Sequence, residues 1–224
     1  MTKKLAVFDW NGTLIDDSHA NWEAGNTCLA HFGKGPISYD HYRETMDFPV
    51  LHVYTRNGVD ADTYLANFQT AGLSFLTRYK ELAASMPLRR GTTDLLDWLL
   101  QEGYDLMVLS NFLQPELEAQ MAQRHVLQYF KHISGNIAFN ELEHSRTTKR
   151  ERLEATLKAY DPAQSFIIGD SLEEPEIARH YGLKAFSVTW GCFAPHRLEK
   201  GGTDHLIDEL AEVSEILQKQ QVKG

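Results

Sequence analysis

The chain reads as an α/β protein, a doubly wound parallel sheet interrupted early by a long all-helical insertion. Three observations predict it. Short apolar runs ending in small or polar residues recur along the chain, as strands buried on both faces of a parallel sheet require. From Gly91 onward these runs alternate with helical patterns, the order of a wound α/β sheet. Between the first run and the rest, roughly seventy residues carry helical periodicity alone, far more than an ordinary connection.

The first strand is Leu5 to Asp9, where four apolar residues end on an aspartate and Asn11-Gly12-Thr13 turn the chain. The insertion follows, with helical patterns in "HANWEAGNTCLAHFG" and "DTYLANFQTAGLSFLTRYKELA". An insertion of this size is expected to have its own small core and to sit over the sheet. The next helix is "TTDLLDWLLQEG", with Leu95, Leu96, Leu99 and Leu100 on one face, Thr92 or Thr93 as cap and Gly103 as stop. Tyr104 to Asn111 is the second strand, "PELEAQMAQRHV" a helix, and His132 to Gly135 a weaker strand. The helix "KRERLEATLKAY" precedes the strand Ser165 to Ser171; "EPEIARHYG" and the strand Lys184 to Gly191 follow. The stretch "TDHLIDELAEVSEILQ" closes the reading as one helix.

With 224 residues, 42% hydrophobic and 24% charged, the chain has the composition of an ordinary globular protein. A formal net charge of −9, with no basic stripe, argues against nucleic acid as a partner. An anionic substrate would have to be met by a few local cations or a metal. Cys28 and Cys192 match no metal or redox spacing and read as reduced thiols. The apolar run after Lys3 and Lys4 breaks at Asp9, too soon for a signal-peptide core, and no stretch reaches the roughly eighteen apolar residues of a membrane span. These features predict a cytoplasmic protein with no membrane partner.

Ligands of open parallel sheets bind outside the carboxyl ends of the strands. There the first strand delivers Asp9, the second Ser110 and Asn111, and the third Asp170 and Ser171. Two carboxylates brought together repel unless a cation lies between them, and a hard ion such as Mg²⁺ takes one or two carboxylates together with a phosphate oxygen. Asp9 has a second use, since a carboxylate can attack phosphorus and form an aspartyl-phosphate. Ser110, the amides after it and one lysine can supply the positive field that phosphoryl transfer needs.

The ordered motifs "FDWNGTL", "VLSN", a lysine opening a helix, and "FIIGDSLEE" resemble the haloacid dehalogenase superfamily, most closely its phosphoglycolate-phosphatase-like branch. The resemblance covers nearly the whole chain. It implies a Rossmann-like core formed by residues 1–14 and 88–224, a helical cap at 15–87, and a hydrolase acting on a small phosphorylated metabolite. It also implies a role for each matching residue. Asp9 matches the nucleophile and metal ligand, and Asn11 the position whose backbone carbonyl binds the metal. Ser110, with Asn111 after it, matches the phosphate-binding hydroxyl, and Asp170 the second metal carboxylate. Glu174, four residues further on, matches a further acid of the metal site. No Lys-Pro pair is present, and Lys149, at the head of "KRERLEATL", is the choice for the phosphate-binding lysine.

Asn11 departs from the pattern. The usual residue there is an acid that protonates the leaving oxygen and later activates water, whereas an amide cannot donate a proton and take it back. Three readings stay open: a phosphatase that works without this acid, a carbon–phosphorus or carbon–halogen hydrolase of the same fold, and a low-turnover phosphate-binding module. For the second, Lys34 and Lys80 are the cap lysines available for a Schiff base. Arg43, and Arg56 within Thr45 to Gly58, are the candidates to meet a second anionic group of the substrate.

Overall fold

The computed structural model describes residues 3–137 and 148–221. Strand β1 (Lys4–Phe8) lies inside a six-stranded sheet with β2 (Tyr104–Leu113), β3 (His132–Asn136), β4 (Phe166–Gly169), β5 (Lys184–Val188) and β6 (His205–Ile207). The order is β3-β2-β1-β4-β5-β6, and every pairing is parallel. The strands run outward from β1 in both directions, so the topology switches between β1 and β4. That switch opens a crevice at their carboxyl ends.

Side chains alternate across β1, and both faces are buried. Ala6 and Phe8 pack with Leu95, Leu96 and Leu99 of α5 (Thr92–Gln101), Leu117 and Met121 of α6 (Gln114–Gln123), and Val213 and Leu217 of α10 (Ala211–Gln221). Leu5 and Val7 pack with Leu153 and Leu157 of α7 (Thr148–Leu157) and with Ile177 and Ala178 of α8 (Glu173–Tyr181). Helices thus cover both faces, as continuous apolar strands demand.

The insertion between β1 and α5 consists of α1 (Ser18–His31), α2 (Tyr39–Thr45), α3 (Leu51–Arg56) and α4 (Ala61–Ala83). Its buried residues, among them Leu29, Tyr42, Val53, Tyr54 and Tyr64, form one cluster that continues into Cys192 and Phe193 after β5 and Leu198 of α9 (Pro195–Lys200). The two chain crossings run side by side: the Asp16 amide donates to the Pro87 carbonyl (3.0 Å) and the Arg89 amide to the Leu14 carbonyl (2.8 Å).

Three local expectations are corrected. The stretch "TDHLIDELAEVSEILQ" is not one helix, because His205–Ile207 pair with Phe186–Val188 of β5 and the helix begins at Ala211. A three-residue strand is too short to show a period, and its partner lies elsewhere in the chain. Gly91, at φ +83°, is the N-cap of α5, with Thr92 already inside the helix. Leu100 is 44% exposed, so the apolar stripe of α5 is narrower than its leucines suggest.

Candidate active site

Asp9 leaves the end of β1 with its amide donating to the Ile168 carbonyl of β4 (2.9 Å). Lys149, 2% exposed near the start of α7, donates to Asp9 Oδ1 (3.0 Å) and to Glu174 Oε1 (2.5 Å). Burial alone would lower its pKa; the charges of Asp9 and Glu174 outweigh burial and hold the ammonium above the ordinary lysine range. Asp9 is pushed up to about 6 by burial, with Lys149 pulling it back and Glu174 adding to the rise. Glu174, expected among the metal ligands, commits both oxygens in this structure: Oε1 to Lys149 and Oε2 to the amide and hydroxyl of Ser171 (3.1 and 2.7 Å).

Asp170 follows β4, with its Oδ2 accepting from the Cys192 amide (2.6 Å). Backbone crowds it from two sides. A Cβ on Gly12, at φ +69°, would fall 2.3 Å from Asp170 Oδ2, and one on Gly191 would fall 2.1 Å from Asp170 Cβ. Only glycine permits these approaches. Burial, then the charge of Asp9, holds the Asp170 carboxyl well above its ordinary range. Among the described residues no three His, Cys, Asp or Glu side chains gather into a metal-holding group. The donor set is instead two buried carboxylates, Asp170 being disfavoured by the charge of Asp9, which fits a hard cation that completes its shell with carbonyl, water and substrate oxygens.

Ser110 and Asn111 lie where β2 shifts register between Leu109 and Leu113, an irregularity of the kind that re-aims side chains beside active sites. Ser110 Oγ accepts from the Phe112 amide (3.1 Å) and lies 3.5 Å from Asn11 Oδ1, within donating distance. Asn111 Nδ2 donates to Glu173 (2.5 Å). Sequence reasoning passed over Glu173 in favour of its neighbour, although "SLEE" shows both acids. It is pushed up to about 7 by burial, with Lys149 lowering and Glu174 raising it. Arg152, also passed over, donates to the Ser110 carbonyl (2.9 Å).

Asn11 is held from behind. Its Nδ2 donates to Asp17 Oδ2 (2.8 Å) and to the Tyr79 hydroxyl (2.7 Å) of α4. Asp17, wholly buried, also accepts from the Tyr79 hydroxyl (2.5 Å) and the Gly12 amide (2.6 Å). Burial raises the Asp17 pKa and the three donors pull it back. An amide facing a carboxylate must present its NH₂, so Asn11 Oδ1 is left toward Ser110. Neither Asp17 nor Tyr79 carried a chemical signal in the sequence, and the acidic pair Asp16-Asp17 was the one available hint.

Asp9, Asn11, Ser110, Asn111, Lys149 and Asp170 line one cavity between the sheet edge and the insertion, with an empty volume of about 1220 Å³ that includes open solvent. The arginines expected to meet a second anion do not line it. Arg43 donates to the carbonyls of Thr189 (2.5 Å) and Phe193 (3.0 Å), and Arg56 pairs with Asp47 (2.7 Å). Both instead tie the insertion together or to the loop after β5.

Residues 6–188 match the family model described as haloacid dehalogenase-like hydrolase. The chain is 26% identical over 190 residues to a phosphoglycolate phosphatase of Synechococcus elongatus, covering 83% of each chain. It is 25% identical over 217 residues to a phosphoglycolate phosphatase of Agrobacterium fabrum, covering 95% of this chain and 91% of the relative. In fold it superposes on a haloacid dehalogenase-like family protein of Streptococcus pneumoniae with a TM-score of 0.77 at 21% identity, covering 96% of this chain and 98% of that one. The family match spans β1 to β5, the insertion and the strand ends that deliver Asp9, Ser110 and Asp170, and the chain belongs to the haloacid dehalogenase-like hydrolases.

Proposed function

We propose that the protein is a Mg²⁺-dependent phosphatase of small phosphorylated metabolites, working through an aspartyl-phosphate on Asp9. The observation that carries the reading is the buried arrangement of Asp9, Lys149 and Glu174 beside Asp170, at the topological switch of the sheet. Asp9 and Asp170 would hold the ion with the Asn11 carbonyl, and the ion would supply positive charge to the phosphoryl oxygens. Lys149 and the Ser110 hydroxyl meet the remaining oxygens. The Asp9 carboxylate attacks phosphorus, the ester P–O bond breaks, and the leaving oxygen departs as its anion and takes a proton from solvent water. Water then adds to phosphorus and gives up a proton to solvent, the bond between the Asp9 oxygen and phosphorus breaks, and the carboxylate and inorganic phosphate are released.

Asn11 shapes both halves of this cycle. Its amide oxygen can accept a hydrogen bond from the attacking water, but its amide supplies no proton to the leaving group. Esters with good leaving groups should therefore be favoured. The carbon–phosphorus alternative finds less support, since Lys34 and Lys80 are exposed and Lys80 pairs with Glu116 (2.9 Å). The test is phosphate release from p-nitrophenyl phosphate with and without Mg²⁺, in the native protein and in Asp9→Asn. Activity that needs both the ion and Asp9 supports the reading; activity that survives Asp9→Asn refutes it.

A further inference from the structure

The cavity has two unlike ends. Its phosphate end carries the charges already described. Its insertion side is a wall lined by Phe48, Val53, Tyr54, Phe68 and Phe75, with Phe193 after β5, and Asn21, Tyr42 and Tyr64 add polar groups to it. These rings brace one another: Tyr54 stacks on Tyr64 with centroids 4.8 Å apart, and Phe48 on Phe193 at 6.2 Å. The polar tip of Tyr54 is bonded to Cys28. Arg43 and Arg56 are committed to carbonyls and to Asp47, and Lys149 lies between Asp9 and Glu174.

We infer that this wall receives an apolar, uncharged leaving group, so that the substrates are monophosphate esters of aryl alcohols, whose phenolate leaves without the proton that Asn11 cannot supply. The inference rests on the phosphatase reading for the phosphate end and on the apolar wall for the rest. A second anionic group placed on such a wall gives up its water and meets no lysine or arginine among the lining residues of the insertion, which selects against it. The carboxylate of 2-phosphoglycolate, the substrate in the relatives' names, is such a group.

Calorimetric titration of the whole protein, with Mg²⁺ present, with n-alkylphosphonates from methyl to hexyl measures the wall without needing turnover. Each added methylene should tighten binding about threefold to fourfold, the effect of moving one CH₂ out of water. Phosphonoacetate, close in size to propylphosphonate but carrying a carboxylate, should bind at least about tenfold more weakly than it. Phe68→Ser and Phe48→Ser should each flatten the chain-length dependence. A flat series overturns the inference, as does tighter binding of phosphonoacetate than of propylphosphonate, or a slope that survives in both variants. Hydrolysis of p-nitrophenyl phosphate, an apolar ester with a good leaving group, is followed in parallel. A rising series without phosphate release would uphold the apolar subsite and overturn the phosphatase reading; release with a flat series would do the reverse.

Discussion

Replacing Asn11 by Asp would put two carboxylates face to face where an amide now donates to one. Asn11 Nδ2 lies 2.8 Å from Asp17 Oδ2, and Asp17 is wholly buried. If both acids stayed charged at about 3 Å, their repulsion would be about 6 kcal/mol at an effective dielectric constant near 20. Keeping one protonated at pH 7, against an ordinary pKa of about 4, costs about 4 kcal/mol. Protonation is cheaper, so the pair should share one proton, as close carboxylates do. The folded state then binds a proton that the unfolded chain has lost. The penalty is accordingly absent below about pH 4 and grows by about 1.4 kcal/mol per unit as pH rises toward 7. Urea unfolding of native and Asn11→Asp proteins from pH 5 to 8, without metal, measures it. Asn11→Asp/Asp17→Asn restores one amide facing one carboxylate and should recover most of the loss. The retained proton also returns an acid to position 11. Turnover of esters with poor leaving groups should rise by up to roughly a hundredfold relative to esters with good ones. A deficit that does not shrink with acid, or is not relieved by Asp17→Asn, would refute the facing-carboxylate argument.

Further outcomes follow from the other side chains of the site. Asp170→Asn should weaken Mg²⁺ binding measured by calorimetry and lower phosphatase activity by orders of magnitude; unchanged Mg²⁺ dependence would remove Asp170 from the metal site. Lys149→Met strands Asp9 and Glu174 without their shared cation, and should cost about 3–5 kcal/mol of stability in denaturant titration, together with most phosphate affinity. Arg56→Ala breaks a pair whose arginine is 42% exposed. It should cost under about 1 kcal/mol and leave KM for phosphate esters unchanged, whereas a substrate-binding arginine would raise KM.

How much of this was legible beforehand depends on the range of the forces involved. The run Leu5–Phe8 announces a strand buried on both faces because burial selects side chains residue by residue, and that selection is written locally. Strand ends likewise mark Asp9, Ser110 and Asp170, since in a parallel sheet all carboxyl ends share one edge, and the structure gathers these three in one cavity. The short strand His205–Ile207 was hidden, because what makes it a strand is the free edge of β5 rather than its own three residues. The side-chain partners were hidden for a similar reason. Asn11 meets Tyr79 across 68 positions, and Lys149 meets Asp9 across 140. Arg43 and Arg56 show the converse error: their charge and place in the chain suggested a substrate contact, while carbonyls after β5 and Asp47 had claimed them. Composition and period determined the sheet, the insertion and the edge where chemistry collects, because hydrophobic burial is non-directional and repeats along the chain. Which charges pair, and which side chains line the cavity, was decided only by the tertiary structure, because hydrogen bonds and ion pairs act over a few ångströms between segments that only folding brings together.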